Sequence, residues 1–207
     1  MCGRESRVHP PYVPDEKIFK PFISFRDIPT FAYIGKINYH WKHKSLDKIV
    51  SIFSGISKPH VLKFVGQGKG FTEFARFVDE HGLKRFEFHD FVHPANMPSL
   101  LGEIDYLLHF EKDNPVQDFS NLICEALLSG VTIITDECLT MAEYAQYSQF
   151  IPKNQIIRLN PEEKTDAQEI IEKLIKNWRK PVRFNVEGTL TFNQYIADTL
   201  KVYSLNY

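Results

Sequence analysis

Cysteine is scarce in this chain. Only Cys2, Cys124 and Cys138 occur, an odd number without the short paired spacing of a metal site. Cys124 and Cys138 fall in segments that read as packed, so a disulfide framework is excluded and reduced, cytoplasmic thiols are expected. Excess charge is missing as well. The 25 Lys and Arg against 26 Asp and Glu leave a net charge of -1, which gives no electrostatic case for a nucleic acid or an anionic membrane as partner. No apolar run approaches the ~20 residues needed to cross a bilayer. The opening Met1–Ser6 is polar, unlike a secretory signal. There is no internal repeat and no low-complexity tract. What is present is ordinary for one globular domain of α/β size: 207 residues, 43% hydrophobic and 25% charged. Aromatics reach 14%, with 17 Phe, and predict a phenylalanine-rich core.

From Phe31 the pattern alternates strand and helix. Strands are expected at Phe31–Ile34, His60–Val65, Arg85–His89, Asp105–Phe110, Val131–Thr135 and Gln155–Leu159. Helices are expected at Leu46–Ile56, Phe71–His81, Met97–Ile104, Leu139–Gln146 and from a Thr165 cap to Trp178. Such alternation with short connections predicts a Rossmann-like parallel sheet covered by helices on both faces, with right-handed crossovers. Sites in such sheets lie at the carboxyl ends of the strands. Three regions follow: a proline-punctuated arm at 1–29, the α/β domain at 30–179, and a spacer with a final helix at 180–207. Pro10, Pro11, Pro14, Pro21 and Pro29 make the arm unlike domain core. The final helix, Thr191–Tyr203, carries an apolar face of Phe192, Tyr195, Ile196, Leu200 and Tyr203.

The most informative stretch is Gln117 to Thr135. It reads as turn, helix, glycine stop and buried strand. Leu122, Ile123, Ala126 and Leu127 give one apolar face. Asp118 or Ser120 can cap the start, and Gly130 can end the helix. Glu125 lies one turn beyond Asn121, near the helix N-terminus. That end offers amide donors and a positive dipole, which suit a phosphate. A carboxylate one turn further in suits neutral hydroxyls, such as those of a ribose.

Two glycine-bearing loops follow the first two strands. Gly35-Lys36, with Lys42 and Lys44 behind it, suits a diphosphate or is a solvated basic loop. Gly66-Gln67-Gly68-Lys69-Gly70 fits a dinucleotide or S-adenosylmethionine fold as well as other phosphate turns, although it follows the second strand rather than the first. His89 and His93 read as loop histidines rather than catalysts.

The Gln117–Thr135 stretch resembles the signature helix of retaining GT-B glycosyltransferases of family 4, Glu-x-Phe-Gly/Ser-Asn-x-x-x-Glu-Ala-x-x-x-Gly-x-Pro-Val. Phe119, Ser120, Asn121, Glu125, Ala126 and Gly130 match it. Gln117, with Asp118 beside it, stands where the family has its first Glu, and Thr132 where it has Pro. Val8–Pro21 resembles the family's crossover between domains, and Met97-Pro98-Ser99-Leu100-Leu101 with Asp105 a structural segment of it. The resemblance runs from about Val8 to Trp178 and implies one half of a GT-B fold: the C-terminal domain, which binds the nucleotide sugar. The first half, which binds the acceptor, would precede Val8.

The resemblance also implies roles. Lys36, at the family's Arg position with the charge but not the planar fork, and Lys44, at the family's Lys, would hold the diphosphate, and Gln117 and Asp118 would face the donor sugar. Phe119, Ser120 and Asn121 would present backbone amides, and Glu125 would take the ribose. Gly35, Gly66 and Gly68 would let the backbone approach the donor, and His89 and Phe91 would line the base pocket. The implied reaction is hexosyl transfer from a UDP- or GDP-sugar with retention, with no cofactor and no bound metal. The acceptor would be a glycan or lipid-linked, and the isolated chain would be inactive. The implied place is the cytoplasm, peripheral to a membrane only through the missing half. The final helix would be left partly exposed or would pair with a second copy. Two other readings stay open: a non-catalytic nucleotide-sugar-binding or assembly module, and a Rossmann-like methyltransferase using Gly66–Gly70.

Overall fold

The computed structural model describes residues 12–21, 26–110, 120–136, 155–178 and 191–204. Six strands form one sheet: β1 (Thr30–Ile34), β2 (Val61–Val65), β3 (Phe86–His89), β4 (Tyr106–His109), β5 (Thr132–Thr135) and β6 (Ile156–Arg158). Their spatial order is β3-β2-β1-β4-β5-β6, and every pairing is parallel. The described helices are α1 (Tyr39–Phe53), α2 (Phe71–Glu80), α3 (Met97–Gly102), α4 (Asn121–Leu128), α5 (Lys164–Lys176) and α6 (Phe192–Ser204). The direction of strand order reverses between β1 and β4, and the crevice at their carboxyl ends is where open α/β sheets bind ligands.

Alternation along β1 separates two cores. Phe31 and Tyr33 join α1, α2 and α5 on one face. Ala32 joins α3, α4 and Phe19 on the other. The phenylalanines do pack together. Phe31 stacks on Tyr106 at 4.6 Å and meets Phe53 edge-on at 5.1 Å, while Phe64 meets Phe74 edge-on at 5.0 Å. Such pairs contribute ~0.5–1.5 kcal/mol each beyond area burial.

The main departures from the sequence reading have tertiary causes. Helix α1 begins at Tyr39, not Leu46, and ends at Phe53. The Tyr39 ring lies on Phe74 and Phe77, and its hydroxyl donates to Asp47 at 2.7 Å. These contacts hold a polar first turn in helix. Helix α4 starts at Asn121, with Ser120 extended in the cap position but its hydroxyl not capping. Gly130 does stop it, at φ +77. Helix α5 starts at Lys164, so Glu163 rather than Thr165 stands at the cap. The Leu139–Gln146 helix and the Lys180–Gly188 spacer lie outside the described residues.

The arm is not loose where it is described. Val13 is 2% and Phe19 8% exposed, because the Asp15 carbonyl takes the Ile18 and Phe19 amides and turns the chain into the core. Its Glu16 Oε2 accepts from the Phe192 amide at 3.1 Å, at the first turn of α6. The apolar face of α6 is partly exposed, with Ile196 at 40% and Leu200 at 62%.

Candidate functional site

The loops after β1 and β2 run side by side at the carboxyl edge. Gly35 N donates to Val65 O at 3.0 Å, Ile37 N to Gln67 O at 3.2 Å, and Tyr39 N to Lys69 O at 2.8 Å. The ladder therefore continues past both strand ends. Gly66 has φ +127, and the Gly35 carbonyl oxygen fills the space of its missing Cβ. The same space at Gly68 holds the Asn38 side chain and the Ile37 carbonyl. These glycines admit the neighbouring loop, which accounts for the Gly-x-Gly spacing without a ligand. Lys36 and Lys44 are both exposed beside this edge. Lys42 is half-buried, with its ammonium 6.0 Å from the Tyr33 ring centre.

Helix α4 starts on the far side of the switch point, after β4. Asn121 is exposed and Ser120 half-buried, while Ile123, Cys124, Ala126 and Leu127 are wholly buried. Glu125 is half-buried. Its Oε1 accepts from the Tyr12 hydroxyl at 2.8 Å. Burial pushes the Glu125 carboxyl up from the ordinary range, and the Tyr12 bond opposes this. The Tyr12 phenol is itself raised, by burial first and then by Glu125. Gln117, Asp118 and Phe119 lie outside the described residues.

Beyond β3, His89 Nε2 lies 2.9 Å from Glu87 Oε2. Gln67 donates to Asp90, tying the second loop to the third. Phe91 is 73% exposed. His93 Nδ1 accepts the Ala95 amide at 3.2 Å and so caps a short 3-10 turn.

Besides Tyr12, two further residues escaped the sequence reading. His109 ends β4, and Asp136 follows β5, only 2% exposed. Burial holds His109 down to about 4, with Asp136 raising and Lys42 lowering it. These three groups thus interact across the carboxyl ends of β4 and β5 and the start of α1. A titratable residue at a strand's carboxyl end was the signal available. Asp105, by contrast, is structural: its two oxygens take Arg26 Nη2 and the Thr30 amide, each at 2.9 Å. Among the described residues no group of His, Cys, Asp and Glu could hold a metal ion, and no helix is long and apolar enough to cross a membrane.

No family model and no curated protein matches the sequence. Solved structures do match the fold. Sucrose-phosphate synthase from Thermosynechococcus elongatus is 16% identical, with a TM-score of 0.72 over 95% of this chain and 51% of that one. Anabaena HepE in complex with UDP-glucose is 17% identical, with a TM-score of 0.63 over 92% of this chain and 56% of that one. This chain spans about half the length of each. It spans nearly all of a third, the C-terminal domain of the group 1 glycosyl transferase LpcC from Francisella tularensis. That domain is 15% identical, with a TM-score of 0.60 over 91% of this chain and 98% of its own. The six parallel strands and their covering helices are therefore those of one half of a GT-B fold, in the arrangement of the C-terminal domain of group 1 glycosyltransferases.

Proposed function

We propose that this chain is the donor-binding half of a glycosyltransferase that moves a sugar from a nucleoside diphosphate, with retention and without a bound metal. The observation that carries the reading is Glu125. It is a half-buried carboxylate one turn into a helix that starts at the switch point of a GT-B half. The UDP-glucose bound by the HepE structure favours a nucleoside-diphosphate sugar as ligand. Glu125 would accept ribose hydroxyls, and the start of α4 would face the diphosphate with its amides. Lys36, Lys44 and Lys42 would supply charge from the opposite loop and stabilise the leaving diphosphate. Gln117 and Asp118 would face the sugar, Phe119 would present its backbone amide beside those of Ser120 and Asn121, and His89 and Phe91 would line the base. The chain alone would bind nucleotide without transferring sugar. A glycan or lipid-linked acceptor would need a first domain, which would also bring any membrane contact. Pairing of two copies through the exposed α6 face is part of the same proposal.

Gln117, where family 4 has Glu, favours a second reading: a non-catalytic nucleotide-sugar-binding or assembly module. Turnover with a supplied N-terminal domain separates the two. S-adenosylmethionine use is disfavoured, since the glycine loop is filled by its neighbour.

The test is calorimetry with UDP, GDP, their 2′,3′-dideoxy analogues, S-adenosylmethionine and pyrophosphate, on wild type and Glu125→Ala. Hydrogen bonds to a charged group contribute roughly 1.5–3 kcal/mol each, so the mutation should cost about one to three orders of magnitude in nucleotide affinity. Pyrophosphate should bind both alike. Unchanged nucleotide affinity in Glu125→Ala, or no discrimination against the dideoxy analogue, rules out the ribose role.

A further inference from the structure

Glu125 does not meet a ligand alone. Tyr12 reaches it from 113 positions away, donating to Oε1 at 2.8 Å. Tyr12 comes on a fixed piece of chain. Val13 beside it is 2% exposed and Phe19 8%, and Glu16 is bonded to the first turn of α6. The Tyr12 bond engages one carboxylate oxygen, Oε1, and among the described residues Oε2 accepts no hydrogen bond.

Resting on the ribose reading above, we propose that Tyr12 is a positioning residue for the donor nucleotide: it fixes Glu125 through Oε1 and so presents Oε2 to the ribose hydroxyls. A glutamate has three side-chain torsions to immobilise, and a bond made before the ligand arrives removes part of that cost from binding. The bond also favours the carboxylate over the acid, against the burial that raises it. The titratable groups acting on the pair are Glu125 and Tyr12 themselves and the Cys124 thiol on the same helix. The arm thereby becomes part of the donor site, although its proline-rich sequence reads as a connector.

The experiment is Tyr12→Phe, which keeps the ring and removes the hydroxyl. Affinities for UDP, GDP, the dideoxy analogues and pyrophosphate are measured by calorimetry across pH 5 to 8 on wild type and variant. The expected result is about a three- to tenfold loss for whichever nucleotide the wild type binds, the scale of one hydrogen bond. Pyrophosphate affinity should stay the same, and the loss of nucleotide affinity on acidification should begin at higher pH than in wild type. Unchanged affinity with an unchanged pH profile overturns the proposal. Tighter nucleotide binding also overturns it, and makes Tyr12 a competitor for the ribose site. An equal loss for pyrophosphate overturns it as a general disturbance. If wild type ignores the dideoxy change, the ribose reading fails and this inference with it. If wild type discriminates while Tyr12→Phe is silent, only this inference fails.

Discussion

The carbonyl oxygen of Gly35 occupies the space that a Cβ on Gly66 would need. Gly66 also sits at φ +127, where side chains rarely fit. Alanine there faces strain and a backbone collision together, so Gly66→Ala should cost ~3 kcal/mol. Gly82 is the internal comparison. It has φ +63 with nothing within 4 Å of a built Cβ, so Gly82→Ala should cost only ~1 kcal/mol. Denaturant unfolding of both variants decides. Equal, mild costs would mean the two loops can part freely, and would remove the rigid edge on which the donor reading depends.

Asp105 joins the entries of β1 and β4. It pairs with Arg26 at 2.9 Å, with side-chain exposures of 6% and 20%, and also takes the Thr30 amide. Removing the carboxylate strands a guanidinium that is mostly buried and also donates to Gly102 O. Asp105→Ala should cost ~3–5 kcal/mol. Asp105→Asn keeps an acceptor for Thr30 and should cost clearly less. A small, equal effect from both in urea unfolding would show that the pair contributes little to the sheet.

Much of the architecture was legible because buried parallel strands and glycine stops leave strong local signals. All six expected strands occur, each within about two residues of its reading. What failed was nonlocal. The first turn of α1 is polar and depends on Phe74 and Phe77 from α2. Proline in the arm argued against packing, yet Val13 and Phe19 are core, since only a few residues of a proline-rich segment need to be buried to fix it. Glu125 and the glycines could be named as candidates from spacing alone. Tyr12, His109 and Asp136 could not, because their meaning comes from partners that lie far away in sequence. The glycine run has a second meaning that spacing does not reveal, since Gly66 and Gly68 also make room for the neighbouring loop.

His109 predicts an acid sensitivity. Its imidazole is held down to about 4, chiefly by burial, against an ordinary value near 6.5. The unfolded chain therefore takes a proton that the native state refuses. The stabilising effect is fully present above about pH 6.5 and is lost as pH falls towards 4. His60, lowered for the same reason, acts in the same direction. His109→Gln should reduce proton uptake on unfolding near pH 5 by about one. Unfolding free energies at closely spaced pH values measure this slope, and an unchanged slope would mean that His109 titrates normally.

Glu125 makes the sharpest prediction, because stability and binding should move in opposite directions. Burial raises its carboxyl, so the native state holds the proton more tightly than the unfolded chain does. The sign follows: stability falls as pH rises from the ordinary carboxylate value through the raised native one, and near neutrality the charge is a net cost. Glu125→Gln removes that charge and keeps an amide oxygen for the Tyr12 hydroxyl. Its melting temperature should exceed that of wild type near pH 7 and match it near pH 4. Nucleotide affinity should fall, though less than in Glu125→Ala, since a neutral amide oxygen is a weaker acceptor than a carboxylate. A residue kept for structure alone would lose stability when altered, whereas a strained functional group gains it. Thermal melts at the two pH values, beside nucleotide titrations, read both signs. A lower melting temperature at both would place Glu125 among the stabilising contacts and leave its charge without a binding role.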